Sequence, residues 1–101
     1  MRVIGRVYLE DFWKTHPEAK KPLETWHHVV VNATWKKFAD VRQTYPHADY
    51  VDHWTIFNVG GNKYRIISNV IFENGDVHVR RVLTHAEYSK DRWKDSTICQ
   101  S

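Results

Sequence analysis

The dipeptide Asn74-Gly75 constrains this chain more than any other feature. A tight type I′ turn needs positive φ at both central residues, which Asn and Gly supply at least cost. Asn-Gly between runs of alternating polarity therefore marks a β-hairpin. Lys63 to Phe72 runs into it and Val77 to Thr84 runs out, while Gly60-Gly61 marks another turn after Trp54 to Val59. A two-residue turn at Asn74-Gly75 sets Phe72 opposite Val77, Val70 opposite Val79 and Ile66 opposite Leu83, an apolar face for helices to cover. Ile71 with His78, Asn69 with Arg80, Ile67 with Val82 and Arg65 with Thr84 form the other face, and Lys63 extends that row. At the Gly60-Gly61 turn, Val59 opposite Asn62 places Phe57 against Tyr64 inside and Asn58 against Lys63 outside. A one-residue slip would turn Phe57 out among the arginines, so burial selects this register.

The first half of the chain has helical spacing. Leu9, Phe12, Trp13 and His16 form one stripe after a brief strand at Arg2 to Ile4. Pro17 suits the first turn of the next helix, where a missing N–H costs nothing. Leu23, Trp26, His27 and Val30 carry that helix to Asn32, although the β-branched Val29-Val30-Val31 also fits a strand. A shorter helix at Phe38 to Thr44 stops before Pro46. The expected fold class is α+β: a short N-terminal strand and two to three helices packed on a twisted antiparallel sheet formed mainly by residues 54–84. Residues 1–90 are expected to form one domain, with 91–101 a tail that is either a short helix or frayed.

Composition bounds the function classes. With 42% hydrophobic residues and five Trp in 101, the chain carries enough apolar surface to exclude disorder over most of its length. No apolar run reaches the length of a membrane span, and the amino terminus lacks a secretory apolar stretch. Cys99 has no partner for an internal disulfide, so a reducing, cytoplasmic setting is expected. The net charge of +3 is mild and says little until it is located.

The strand register locates it. Asn58, Lys63, Arg65, Asn69, His78 and Arg80 share one face, with no carboxylate between Arg65 and Phe72 to relieve the repulsion. The bland alternative is the solvated side of a half-buried sheet. Arginine, however, presents a planar fork that matches two phosphate oxygens. Arg81 is the misfit: its register puts it opposite Ser68 on the apolar face, so it either snorkels to an edge or breaks the register locally.

These residues carry a resemblance. Phe57-Asn58-Val59-Gly60-Gly61-Asn62-Lys63-Tyr64-Arg65, then Val79-Arg80 and Thr84-His85-Ala86-Glu87-Tyr88, resemble the HigB branch of the RelE/ParE-like toxins. Phe12-Trp13, His16-Pro17 and Ala33-Thr34-Trp35 extend the similarity over roughly residues 1 to 90. Ser89 departs from it, since relatives often carry Asp there, and Arg81 and Leu83 also stand where other residues are expected. The resemblance implies a RelE-like fold and the toxin of a bacterial type II toxin–antitoxin pair. It further implies a messenger-RNA endonuclease, ribosome-dependent in many relatives, silenced by a HigA-like antitoxin with a helix-turn-helix domain.

Metal-free RNA cleavage needs one group to take the 2′-hydroxyl proton, cations to stabilise the phosphorane, and one to protonate the leaving oxygen. Arg65 and Arg80 suit the second task. His85 is the acid–base candidate, because imidazole titrates near working pH; Tyr88 and Lys63 supply or orient the other proton. Counting along the hairpin sets His85 opposite Tyr64 on the core side, where a structural histidine is the alternative. Asn58, Asn62, Asn69 and His78 are expected to bind RNA, with Asn62 alternatively a turn residue. Trp35, Tyr45 and Trp54 read as core rather than base-stacking platforms, with stacking of an unpaired base the alternative for Trp54, which falls on the charged face. His27-His28, His47, His53 and Cys99 have no metal-ligand spacing, so neither metal nor cofactor is expected. A ParE-like gyrase inhibitor without catalysis and an inactive basic RNA-binding module stay open, because one scaffold hosts several activities.

Overall fold

The three strands expected from the turn signals form the middle of a five-stranded sheet. The computed structural model describes residues 1–90; the expected tail, 91–101, lies outside them. Strands β1 (Arg2–Ile4), β2 (Asp49–Val51), β3 (Trp54–Val59), β4 (Tyr64–Ile71) and β5 (Asp76–Thr84) are ordered β1-β5-β4-β3-β2. Helices α1 (Arg6–Thr15), α2 (Lys20–Val31) and α3 (Phe38–Thr44) precede most of the sheet, and α4 (His85–Ser89) follows it. The fold is α+β, and its sheet is mixed rather than wholly antiparallel, because β1 joins β5 in parallel. Pro17–Ala19 is a 3₁₀ turn leading into α2, and Val29, Val30 and Val31 are helical rather than extended.

Both hairpin loops are longer than two residues. Val59 pairs with Tyr64 and Ile71 with Asp76, so residues 60–63 and 72–75 are the loops. Each register is displaced by two: Phe57 meets Ile66 rather than Tyr64, Asn58 meets Arg65 rather than Lys63, and Val77 meets Val70 rather than Phe72. The backbone gives the reason. Gly60, Gly61 and Asn62 all take positive φ (65°, 64° and 75°), one residue too many for a two-residue turn. In the other loop only Gly75 does so (φ 71°), and Asn74 does not, which excludes type I′. A shift of two preserves alternation, so the faces next to both loops stay as expected.

A β-bulge then changes the faces. Ser68 pairs with Val79 but Ile67 pairs with Arg81, leaving Arg80 as the extra residue. Arg81 breaks the register locally and lies across from Ile67 instead of Ser68. Val82, expected on the charged face, enters the main core. Leu83, expected inside against Ile66, pairs with Arg65 and joins a second cluster with Ile56 and Ile67. Thr84 pairs with Tyr64, ending the strand before His85 can take that place on the core side.

The main core lies between the helices and one sheet face. Leu23, Trp26 and Val30 are the buried stripe of α2. Phe57 gathers three rings around itself: Trp26 edge-on at 5.3 Å, Tyr45 edge-on at 5.3 Å and Trp35 stacked at 5.8 Å. Aromatic pairs of this geometry contribute about 0.5–1.5 kcal/mol each beyond burial. Gly5 caps α1 at φ 91°, and a Cβ there would stand 2.6 Å from the Val79 carbonyl oxygen, so only glycine lets α1 approach β5. Among the described residues no helix is long and apolar enough to cross a membrane.

Candidate active site

The second face of the sheet carries the polar residues around the smaller apolar cluster. Arg65 projects from β4 at the end next to the β3–β4 loop and is only 6% exposed. Its Nη1 donates to the carbonyls of Asn62 (3.0 Å) and Tyr64 (3.3 Å). Its Nη2 donates to Asn62 Oδ1 (2.8 Å) and to His85 Nδ1 (3.1 Å). The Tyr88 ring lies under the guanidinium, 5.2 Å from Cζ. Both Nη atoms are thus turned onto the protein, and the fork expected to meet phosphate is occupied.

The local sequence explains the arrangement. Asn62 tolerates the left-handed φ of 75° and so points both of its oxygens at Arg65. Thr84 caps α4: its hydroxyl accepts from Glu87 N (3.2 Å), and the Glu87 carboxylate accepts from Thr84 N (2.9 Å). That reciprocal cap turns the chain from strand to helix and brings both His85 and Tyr88 onto Arg65. His85 N also donates to the Lys63 carbonyl (2.9 Å), tying the helix start to the β3–β4 loop. Ser89, the departure from the family pattern, donates its hydroxyl to the His85 carbonyl (2.9 Å).

A guanidinium only donates, so His85 Nδ1 accepts, and the neutral ring carries its proton on Nε2. Arg65 therefore fixes both the orientation and the tautomer of His85. Strand counting names the two residues but not this relation; the Thr84-x-x-Glu87 capping signature is the one local signal in the sequence for it.

The structure does not bring all candidate residues together. Arg65, Asn62, His85 and Tyr88 form one group, Lys63 joins it through its backbone carbonyl, and Asn58 is the β3 partner of Arg65. Lys63 belongs to the loop, with its side chain exposed, rather than to the strand row. Arg80 is on the bulge and donates to Asn69 Oδ1 (3.2 Å), four residues along β4 from Arg65 and so about 13 Å away. Asn69 in turn donates to the carbonyl of His53 (3.2 Å), in a β2–β3 turn where Asp52 and His53 have φ of 49° and 61°. Trp54 is half-buried at that end, packed on the smaller cluster. His78 lies 3.9 Å from the Asp76 carboxylate, beside β1. Trp35 is buried in the main core, and Tyr45 packs against it. Burial pushes the Tyr45 phenol up to about 12. Among the described residues no three His, Cys, Asp or Glu side chains converge as metal ligands would.

Residues 19–91 match the family described as the HigB toxin, the RelE-like toxic component of a toxin–antitoxin system. The chain belongs to the HigB toxin family. Its relatives include the mRNA interferase toxin HigB of Escherichia coli K12, 32% identical over 91 residues, covering 87% of this chain and 88% of that protein. The mRNA interferase HigB of Shigella flexneri matches to the same extent. The mRNA interferase HigB of E. coli O6:H1 is 27% identical over 93 residues, covering 89% and 90%. A HigB-family toxin implies an antitoxin partner, and in this one the Arg65 group lies within the matched segment.

Proposed function

We propose that this toxin is an endoribonuclease that cleaves messenger RNA by attack of a 2′-hydroxyl on the adjacent phosphorus. The 2′-oxygen forms a bond to phosphorus as the bond to the 5′-oxygen breaks, leaving a 2′,3′-cyclic phosphate and a 5′-hydroxyl. The observation that carries the reading is the buried Arg65 donating to His85 Nδ1, because it aims an Nε2–H donor from a cationic site. That donor meets a non-bridging oxygen as it gains charge, the step at which binding accelerates reaction. Arg65 is a positioning residue whose fixed charge also favours the dianionic transition state. Tyr88 and Lys63 are left for the two proton transfers, one taking the 2′-hydroxyl proton and one returning a proton to the 5′-oxygen. No step calls for a metal or cofactor. Arg80 and His78, with Asn69, bind the strand farther along the face, and Asn58 binds beside Arg65. Asn62 serves RNA through its hold on Arg65.

The ribosome presents the message, the partner is a HigA-like helix-turn-helix antitoxin, and the site of action is the cytoplasm. Residues 1–90 are the toxin domain and 91–101 its tail. The test is induced expression of wild type and Arg65→Ala with mapping of new messenger-RNA 5′ ends. Cuts within translated messages are expected from the wild type and not from the variant. Toxicity without such cuts, with gyrase inhibited, would instead support the ParE-like reading.

A further inference from the structure

A cleft of about 990 Å³ opens between α2 and the β3–β4 loop, a volume at the upper end of the usual roughly 300–1,000 Å³ for ligand sites. It shares Asn62 and Lys63 with the Arg65 group, so an occupant of one is next to an occupant of the other. Trp26, Tyr45 and Tyr64 supply aromatic wall, Glu18 a carboxylate, and Lys21 and Lys63 two ammonium groups. Trp26 is 1% exposed, yet its Nε1 has no hydrogen-bond partner among the described residues. Buried donors without partners are rare in folded proteins and call for an explanation. Tyr64 donates its hydroxyl to Glu18 Oε1 at 3.3 Å, which holds that carboxylate at the wall with acceptor capacity to spare.

We propose that this cleft seats an unpaired nucleotide of the RNA, adjacent in the strand to the one cleaved at the Arg65 group. The base lies against the aromatic wall, an exocyclic amino group donates to Glu18, and a ring or carbonyl acceptor takes the Trp26 N–H. Its phosphate rests between Lys21 and Lys63. Aromatic stacking and Glu-to-amino contacts are the usual means of reading single-stranded bases. An acidic peptide would use the lysines but leave the Glu18 carboxylate opposed, so a nucleotide fits better. The inference rests on the RNA-cleaving reading.

The test follows the Trp26 indole N–H signal by NMR in the full chain, assigned with Trp26→Phe. A short 2′-O-methyl oligoribonucleotide, which has no free 2′-hydroxyl to react, is the probe. The Trp26 signal is expected to move together with those of the His85 ring. Thr25→Trp, an exposed α2 change that fills the cleft, is expected to weaken oligonucleotide binding about tenfold and leave the His85 response. Glu18→Gln should alter base preference. Movement of His85 with Trp26 unmoved would overturn the cleft assignment and leave the RNA reading standing. Movement of neither would remove both. A Trp26 signal that moves with the purified antitoxin and not with RNA would overturn the proposal and give the cleft to the protein partner.

Discussion

Arg65 Nη2 donates to His85 Nδ1 at 3.1 Å, and the two residues come from different elements, β4 and α4. While that bond stands, the neutral His85 ring holds its proton on Nε2. Imidazole ¹⁵N shifts are expected to show a single Nε2–H tautomer in the wild type and a mixture in Arg65→Ala. Cleavage by Arg65→Ala should fall by up to about 10²–10³-fold, the cost of losing one transition-state donor, because the His85 N–H is no longer aimed. An unchanged tautomer with lost activity would move Arg65 from positioning to direct contact.

Asn62 allows two effects to be separated. Asn62→Gly keeps the left-handed backbone and removes the Oδ1 bond, so cleavage should drop about tenfold or more and stability by about 1.5–3 kcal/mol, the worth of one hydrogen bond to a charged group. Asn62→Ala also places a Cβ at φ 75°, adding about 1–2 kcal/mol of destabilisation. Denaturant melts beside cleavage assays distinguish the pair.

The cap of α4 links local stability to the site. Thr84→Ala should cost about 1 kcal/mol and lower cleavage at temperatures where the fold is intact, because His85 and Tyr88 both ride on that helix. Glu87→Gln retains the reciprocal bond and should keep most activity. Amide exchange at residues 85–89 reports the local loosening.

Arg2 clamps β1 to β5 through Asp76, with Nε–Oδ1 at 2.8 Å and Nη2–Oδ2 at 3.0 Å. The hydrogen bond from Arg2, more than its charge, holds the Asp76 carboxyl below the usual carboxylate range. A depressed folded value means the stabilisation is present above the ordinary pKa of about 4 and is lost as pH falls through the folded value. Asp76→Asn should therefore be less stable than wild type at neutral pH, and the two curves should converge in acid. Urea melts across pH check this; curves that stay parallel would exclude the linkage.

Much of this fold was legible because alternation and turn signals name strands even when they misplace them. Asn74-Gly75 and Gly60-Gly61 pointed to the right hairpins, yet each lies in a four-residue loop, and pairing slid by two without exchanging faces. The bulge at Arg80 was harder. Arg80-Arg81 followed by Val82-Leu83 breaks alternation, and Arg81 on an apolar face was its visible trace. Two of the site's key placements depended on features beyond the pleat rule: the Thr84–Glu87 cap that redirects His85, and Asn62 turning back on Arg65. The cleft beside them joins α2 to the β3–β4 loop, residues far apart in sequence, and no local pattern announces it.

The most direct test of the account is the chemistry of the RNA ends made by the purified toxin on messages in translating ribosomes. Attack by the 2′-hydroxyl leaves 5′-hydroxyl and 2′,3′-cyclic phosphate ends, and these are the ends expected. His85→Ala should make them about 10²–10³-fold more slowly. Ends bearing 5′-phosphate and 3′-hydroxyl would contradict it.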